Sequence, residues 1–290
     1  MDPLALLLTG LSEATPLLLA GLGEMVVERT GRVNLGVEGL MAVGAAAAAL
    51  AGVETGSLAA SLAAGAAAAA ALSLVYIVSV VLLGLDQIVV GLILVFMGKG
   101  LADIIGMWTG GAPGTPLAPL PGTPIDPVEA AALLLPVAAW VVIYRSWAGV
   151  ELRAVGEDEE EARARGIPVE AVRAVAVLVG AALAGVGGAY VADAFHYGRW
   201  FSGVTEGLGW IAIADVILGY WHPVGVLAAC YLTGLLFAAK PLLPVIGVPA
   251  ELVDAAPYLA VLVAQVAATV ICRRLGVTPP ASVWWGELTG

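Results

Sequence analysis

Apolar residues occupy this chain in long runs that are separated by short polar or proline-containing breaks. About 20 consecutive apolar residues can cross a bilayer as a helix, and runs near that length recur along the chain. The pattern predicts an all-α fold, a polytopic transmembrane helical bundle of about nine spans. The predicted spans are residues 3–28, 33–53, 57–83, 85–106, 128–147, 170–195, 206–221, 223–240 and 250–272.

Two of these spans, 206–221 and 223–240, are shorter than the others and meet at Trp221-His222-Pro223. A proline directly after a polar residue is a turn signal. A broken or re-entrant pair that is buried in protein is therefore an alternative to two full crossings.

The composition supports a membrane protein. Of the 290 residues, 61% are hydrophobic and 12% are charged, and the mean hydropathy is +0.99. Soluble domains carry about a quarter charged residues. No basic segment precedes the first apolar run, so this run is predicted to remain as a span rather than to be removed as a signal peptide. The net charge of −11 argues against a nucleic acid polymer as a partner, because phosphates require a basic patch.

The positions of lysine and arginine predict the orientation, because cytoplasmic loops are enriched in both residues. Seven arginines flank one long loop or follow the last span and are assigned to the cytoplasm: Arg145, Arg153, Arg163, Arg165, Arg173, Arg273 and Arg274. This assignment puts Arg29 and Arg32 inside and the amino terminus outside, with Arg199 and Lys240 as external charges. The proline-rich segment 110–127 then lies outside and is predicted to form neither helix nor strand.

Polar residues inside the apolar pattern are the candidate functional residues. Asn34 and Glu38 are four residues apart and would share one face of a helix that covered both. Exposing a carboxylate to lipid costs several kcal/mol, on the order of 3, so Glu38 is expected to face protein, water or a partner. Either it lines or braces a central pathway, or it pins a helix through a nearby arginine such as Arg29 or Arg32.

A short internal repeat accompanies this stretch. Residues 37–40 (VEGL) resemble residues 205–208 (TEGL), and each segment is followed by an apolar run. The two copies fall in predicted spans of opposite orientation, an arrangement typical of transporters with inverted repeats. The expected single permease domain, 1–290, would then contain a first repeat at about 3–106, a connector span at 128–147, a cytoplasmic loop at 148–169 and a second repeat at 170–272.

The cytoplasmic loop contains a predicted amphipathic helix at 157–165. Acidic residues come first and arginines last, which suits the helix dipole, and Gly166 and Pro168 supply a stop. One interpretation is a solvated surface helix. The other is a docking element for a cytoplasmic partner.

Further polar and aromatic residues have two interpretations each. Asp86 and Asp103 can be interfacial groups at span ends, whereas Asp215 lies well inside its segment and is the better functional candidate. Trp221 is predicted to be an interface anchor, and Trp210, one turn after Glu206, is a candidate for stacking on a base or sugar ring.

The Gly-Lys-Gly stretch, the histidines and the cysteines argue against an ATP site, a metal site and a disulfide. Gly98-Lys99-Gly100 lacks the Ser or Thr and the upstream glycine of a phosphate-binding loop, so no ATP site is predicted. His196 and His222 are predicted to be polar loop positions. The cysteines, Cys230 and Cys272, are predicted to be small hydrophobes. No disulfide, metal site or cofactor is expected.

Four stretches, in order along the chain, carry a family resemblance. They are GEMVVERTGRVNLGVEG at 23–39, DQIVVGL at 86–92, RAVGE at 153–157 with ARGI at 164–167, and GLGWIA at 207–212 with GYWHP at 219–223. They resemble the shorter permease subunit of nucleoside and simple-sugar ABC importers, in the superfamily of ribose and branched-chain amino acid permeases. We refer to residues 23–39 as the signature segment.

The resemblance implies a membrane subunit of the plasma membrane that is not itself an enzyme. Its implied partners are membrane lipid, a second homologous permease, a cytoplasmic ATPase and an extracytoplasmic substrate-binding lipoprotein. The loop at 156–166 matches the family's coupling helix, although Asp158-Glu159 replaces the Asn-Pro that is frequent in the family. The predicted pathway residues are Asn34, Glu38, Met41, Gln87, Glu206, Trp210 and Asp215. The predicted coupling residues are Gly156, Glu157, Asp158, Arg163, Arg165 and Gly166.

The function that follows is one half of the translocation pathway for a nucleoside or simple sugar, driven by a separate ATPase. An ion-coupled secondary transporter that uses intramembrane carboxylates is the alternative. An intramembrane enzyme finds no support, because the motifs of metalloproteases and serine hydrolases are absent from the sequence.

Overall fold

A computed structural model describes residues 2–253, 255–274 and 276, and within these residues the regular structure is entirely helical. The α-helices are α1 (Pro3–Glu28), α2 (Val37–Thr55), α3 (Leu58–Tyr76), α4 (Gln87–Met107), α5 (Pro127–Arg145), α6 (Trp147–Glu157), α7 (Glu159–Ala164), α8 (Val169–Tyr190), α9 (Leu208–Leu218), α10 (Pro223–Ala239), α11 (Ala250–Val253) and α12 (Ala256–Arg274). Helices α3 and α8 each continue into a π-helical segment, Ile77–Leu82 and Val191–Phe195 respectively.

The all-helical membrane architecture is confirmed for the described residues. Seven helical segments there are long and apolar enough to span a bilayer: Pro3–Glu28, Val37–Thr55, Leu58–Leu82, Gln87–Met107, Pro127–Arg145, Val169–Phe195 and Pro223–Leu242. Two shorter apolar helices, Leu208–Leu218 and Ala256–Ile271, coincide with the remaining predicted spans. The nine complete crossings that the sequence predicted are therefore not confirmed.

Helix α9 is too short for the full crossing predicted at 206–221. Its 11 residues extend about 17 Å at 1.5 Å per residue, whereas the hydrocarbon layer is about 30 Å thick. Glu206 and Gly207 have positive φ angles before the helix, and Tyr220 and Trp221 have positive φ angles after it. These turns confine α9 to about half the membrane thickness, as in the alternative of a broken pair.

The predicted connector span at 128–147 ends early, and a second helix begins there. Helix α5 stops at Arg145, and the Ser146 hydroxyl accepts a hydrogen bond from the Gly149 amide at 3.1 Å, capping α6. Helix α6 occupies part of the region that was predicted to be a loop. By contrast, the proline-rich segment is free of helix and strand until Pro127, which is the first residue of α5.

Small residues let the central helices approach closely. Helices α1, α2 and α8 form the core, with α3 and α4 packed on α2, and α10 packed on α1. A methyl group added at Gly23 of α1 would lie 2.6 Å from the Gly180 carbonyl oxygen of α8. A methyl group added at Gly98 of α4 would lie 2.6 Å from the Cα atom of Gly39 in α2. These contacts use backbone against backbone, which is typical of helix packing in lipid.

The loops at the two ends of the bundle make different kinds of contact. At one end Arg32 of the α1–α2 loop lies 3.8 Å from Glu159 of α7. At the other end the Gly114 amide of the proline-rich segment donates to the Gly198 carbonyl at 3.1 Å. We call the first the arginine end; its identification as the cytoplasmic side remains a prediction. The side chain of Arg273 lies outside the described residues.

Candidate functional site

A fully buried carboxylate joins three helices in the interior of the bundle. Glu38, the second residue of α2, is 0% exposed. Its Oε1 atom accepts hydrogen bonds from the Thr205 hydroxyl at 2.7 Å and the Gly207 amide at 3.1 Å. Its Oε2 atom accepts a bond from the Gly209 amide at 2.9 Å. The Lys99 ammonium of α4 lies 3.3 Å from Oε1. We call this arrangement the Glu38 clamp.

The clamp supplies the cap that α9 does not provide for itself. The residue before α9 is Gly207, which has no side chain to accept a bond from the free amides of the first turn. The carboxylate of Glu38 takes that role, and its negative charge suits the positive end of the helix dipole. A methyl group on Gly209 would lie 2.5 Å from the Cα atom of Glu38, so glycine allows this approach.

The cationic partner of Glu38 corrects one expectation. Arg29 and Arg32 were the proposed ion-pair partners, but the observed cation is Lys99. The Arg29 guanidinium instead donates to the Trp221 carbonyl at 2.7 Å and to the Tyr144 hydroxyl at 2.7 Å. A single lysine in the middle of an apolar helix was the sequence signal for this role.

The two segments of the internal repeat meet at the clamp. Residues 37–40 contribute the carboxylate, and residues 205–208 contribute two of its donors. Glu206, the counterpart of Glu38, is exposed and has a φ angle of 45°. Its carbonyl oxygen accepts a bond from the Tyr258 hydroxyl at 3.2 Å. The contact agrees with an inverted repeat, which remains a prediction.

Exposed polar and aromatic side chains lie on the two elements that meet at the clamp. We call Lys99 and Asp103 of α4, with Glu206 and Trp210 beside and on α9, the polar stripe. The Lys99 side chain is 45% exposed and Trp210 is 38% exposed. An ammonium at mid-membrane costs about 3 kcal/mol in hydrocarbon by insertion scales. The stripe must therefore meet water or another protein rather than lipid.

The other predicted pathway residues near α2 lie inside the protein. Helix α2 begins at Val37, so Asn34 precedes it and does not share a helical face with Glu38. The Asn34 amide donates to Glu24 Oε1 at 2.6 Å. The half-buried side chain of Gln87 accepts a bond from the Val33 amide at 3.0 Å. These bonds fix the signature segment where it turns back into the bundle.

Met41 and Asp215 are also buried. Met41 is 0% exposed and faces α8, where Gly188 leaves room for its backbone. The Thr233 hydroxyl donates to Asp215 Oδ1 at 2.7 Å, and Oδ2 has no hydrogen-bond partner among the described residues. Cys230 is buried nearby in α10, while the side chain of Cys272 lies outside the described residues.

The signature segment makes hydrogen bonds with several elements at the arginine end. Trp221 is 3% exposed and its indole donates to Glu28, so the prediction of an interface anchor is wrong. The Tyr76 hydroxyl donates to the Val33 carbonyl at 2.7 Å. The Arg173 guanidinium of α8 donates to the Thr30 carbonyl at 3.2 Å. Helices α1, α3, α8 and the α9–α10 turn are thereby joined to one loop.

A short helix lies in the loop predicted to couple to the ATPase, and it is separate from α6. Gly156 and Glu157 belong to the end of α6, and α7 covers 159–164. Asp158 caps α7, because its Oδ1 atom accepts a bond from the Glu161 amide at 2.9 Å. The aspartate therefore defines the helix start where the family often has Asn-Pro. Gly166, with a φ angle of 81°, follows the end of the helix.

Ion pairs tie α7 to its surroundings. Glu159 lies 2.8 Å from Arg163, 2.7 Å from Arg173 and 3.8 Å from Arg32. Burial is the largest single influence and raises the pKa of Glu159, but the hydrogen bonds from Arg163 and Arg173, with the charges of Arg173 and Arg32, outweigh it and hold this pKa below its usual value. Arg165 pairs with Glu161 at 2.5 Å on the exposed side.

Both histidines lie in loops, as predicted. The His222 ring accepts a bond from the Val224 amide at 3.3 Å and caps α10. Burial, and then the charge of Arg29, lower the pKa of His222. Burial lowers the pKa of His196, whose ring meets Phe201 at 4.6 Å between centroids. Within the described ranges, no group of three or more His, Cys, Asp or Glu side chains is arranged to hold a metal ion.

Comparison with known proteins identifies the family. A family model described as "branched-chain amino acid transport system / permease component" matches residues 6–269. TsgC13 of Haloferax volcanii, provisionally named a glucose ABC transporter permease protein, is 37% identical over 78% of this chain and 74% of its own length. NupC of Lactococcus lactis subsp. cremoris, a nucleoside ABC transporter permease protein, is 31% identical over 84% of this chain and 86% of its own. NupQ of Bacillus subtilis, a guanosine ABC transporter permease protein, is 30% identical over 76% and 77% respectively. The chain therefore belongs to the branched-chain amino acid transport system permease family and is a multi-pass permease component of an ABC transporter.

Proposed function

We propose that this permease forms one half of the import pathway for a nucleoside or simple sugar. The relatives named for glucose, nucleoside and guanosine transport support this substrate class. The polar stripe is the observation that carries the proposal, because it exposes an ammonium, two carboxylates and an indole on otherwise apolar helices. Such a surface suits polar solutes that contain a ring.

A second permease subunit would complete the pathway. The stripe forms an open face on one chain, and lipid contact there would be costly. A second, homologous permease facing it would enclose a polar route between the two subunits. We therefore infer a dimeric membrane unit, with a substrate-binding lipoprotein on the outer side and a cytoplasmic ATPase at the arginine end.

Helix α7 is the element through which we expect the ATPase to act. Arg32 contacts Glu159 of α7, and Arg173 contacts both Glu159 and the Thr30 carbonyl. A displacement of α7 would therefore reach the signature segment directly. That segment leads into Glu38, which holds the first turn of α9. We propose Gly156 to Gly166 as the coupling region, with α7 as the contact element.

The pathway residues divide into two roles in this proposal. Glu206 and Trp210 line the route, since they are exposed beside α9. Glu38 acts as a positioning residue for α9 and Lys99. The remaining residues brace the wall from inside: Asn34, Met41, Gln87 and Asp215.

Purification and uptake test the proposal together. The tagged chain, isolated from its native membrane in mild detergent, should bring down an ATPase and a second permease. Cells that contain the importer should take up labelled guanosine or glucose, and depletion of ATP should abolish uptake.

An ion-coupled carrier would behave differently in the same assay. It would purify without an ATPase, and a protonophore would stop uptake while ATP remained high. That result would contradict the proposal. The clamp also argues against an ion-binding role for Glu38, because four donors already surround its carboxylate.

A further inference from the structure

A cavity lies between α9 and α12, next to the polar stripe. Its volume is about 190 Å³, and its lining combines two aromatic rings, one amide and aliphatic groups. The lining residues are Trp210, Ile211, Ala214, Tyr258, Val261, Leu262 and Gln265. The Tyr258 hydroxyl donates to the Glu206 carbonyl at 3.2 Å, which joins this part of α12 to the turn before α9.

The Glu38 clamp sets the position of the cavity wall. Gly209 donates to Glu38 Oε2 at 2.9 Å, and Trp210 is the next residue. The indole is therefore carried by the first turn of α9, whose backbone the clamp holds. Lys99, on the other side of Glu38, lies on the same exposed stripe. Trp210 belongs both to the cavity lining and to the polar stripe, so the two features adjoin at this residue.

Gln265 gives the cavity its polar character at membrane depth. It lies in the middle of α12, nine residues from Ala256 and nine from Arg274. Its amide makes no hydrogen bond within the described part of the chain, although the side chain is half-buried. Placing an unpaired amide in hydrocarbon costs about 1–3 kcal/mol on protein mutational scales. A polar ligand or water is the environment that satisfies it.

We propose that this cavity is half of a ring-recognition subsite for the transported solute. The Trp210 indole offers a flat apolar surface for a nucleobase or a sugar ring, and Gln265 offers a donor and an acceptor for the polar edge of that ring. The proposal rests on the function proposed above and assigns the ring-binding step to α9 and α12.

The size of the cavity supports half of a site rather than a whole one. Complete ligand pockets measure about 300–1,000 Å³, and the observed volume is about 190 Å³. One ring fits such a space, while the rest of a nucleoside would extend toward the polar stripe and the second permease.

Uptake by the complete importer tests the subsite. Initial rates of labelled guanosine, uridine and glucose are measured with wild type, Trp210→Ala, Trp210→Phe and Gln265→Leu, each normalised to assembled complex. Trp140→Ala on α5 is the matched control, because α5 does not line the cavity. Stacking on an aromatic ring is worth roughly five- to 150-fold per base.

We expect Trp210→Ala to lower the rate for the transported solute at least fivefold, Trp210→Phe to retain most of it, and Trp140→Ala to match wild type. Gln265→Leu should change the ratio between guanosine and uridine, or lower glucose uptake, at least threefold. If Trp210→Ala assembles poorly, Gln265→Leu decides.

Two negative results have different meanings. Equal rates for wild type, Trp210→Ala and Gln265→Leu would overturn the subsite and leave the proposed function intact. A wild-type importer that carries none of the three solutes would overturn the proposed substrate class and the subsite together.

Discussion

Two glutamates organise the polar contacts of this permease, and they lie in contrasting surroundings. Glu38 is fully buried and is held by Lys99 and three donors at the start of α9. Glu159 is partly exposed and pairs with three arginines from three segments of the chain. The first carboxylate is enclosed by fixed donors, and the second has charged partners that water can replace.

The contrast suggests different tasks. A buried carboxylate with fixed donors is costly to disturb, because each donor loses its partner at once. Exposed ion pairs are individually weak and can re-form in a changed geometry. The Glu38 clamp therefore suits a joint that keeps its shape, and the Glu159 cluster suits a contact that shifts when a partner moves.

The orientation of the chain in the membrane is tested by the experiment with the largest expected effect, because a cysteine is either labelled from outside or not. In a background with Cys230→Ala and Cys272→Ala, a cysteine at Thr123 should react with an impermeant thiol reagent from outside, and one at Glu160 should not. Thr123 is exposed in the proline-rich segment, whereas Thr115 is half-buried near Gly52. Reversed labelling would put the Glu159 cluster outside and contradict its role in ATPase coupling.

Removal of the Glu38 carboxylate should have the largest effect on stability. Glu38→Ala leaves the donors at Thr205, Gly207 and Gly209 without an acceptor, and each unsatisfied buried donor costs about 1–3 kcal/mol. Glu38→Gln keeps one acceptor oxygen, so we expect a smaller loss of about 1–3 kcal/mol. Thermal unfolding of the purified complex measures both, with transport normalised to assembled complex.

Glu206→Gln is the control for this experiment, because the Glu206 side chain is exposed. It should leave the unfolding temperature close to wild type. Lys99→Met combined with Glu38→Gln should cost less than the sum of the single changes, since the two groups form one pair. Normal stability of Glu38→Gln with altered transport would show a direct pathway role instead of a positioning role.

The sequence predicted the features that depend on local pattern. The apolar runs located the long helices, and the charge order with Gly166 located α7. The helix α6 was missed because its polar residues, among them Glu151 and Arg153, were interpreted as part of the loop that follows the span.

Long-range contacts could not be predicted in the same way. The clamp joins Glu38 to donors more than 160 positions away, and no local pattern reports such a pairing. The half-length of α9 follows from positive φ angles at Glu206, Tyr220 and Trp221, residue types that rarely adopt them. Burial of Trp221 depends on Glu28 and Arg29 across the bundle.

Charge reversal on α7 tests whether this helix is the docking element for the ATPase. Arg165→Glu removes one exposed ion pair, that with Glu161. Arg163→Glu removes two ion pairs, those with Glu159 and Glu170. Both variants should insert normally. We expect the double variant to lose substrate-stimulated ATPase activity and Arg165→Glu alone to reduce it. Full stimulation in the double variant would contradict the assignment of α7 as the docking element.

Acid titration of Glu159 should have the smallest effect. It tests whether the arginines stabilise the ionised form of this carboxylate. Its pKa lies below the usual value, because the hydrogen bonds and charges of its arginine partners outweigh the effect of burial. The folded state then holds the proton less readily than the unfolded state, so the group stabilises the fold above its ordinary pKa of about 4.3 and loses this contribution as the pH falls further. Since the carboxylate is partly exposed, we expect a loss of less than about 1 kcal/mol. Unfolding temperatures of wild type and Glu159→Gln, compared between pH 7 and pH 3.5, should converge at the acid end. A difference that stays constant over this range would mean that the arginines do not stabilise the ionised form, and that the Glu159 cluster holds α7 through packing alone.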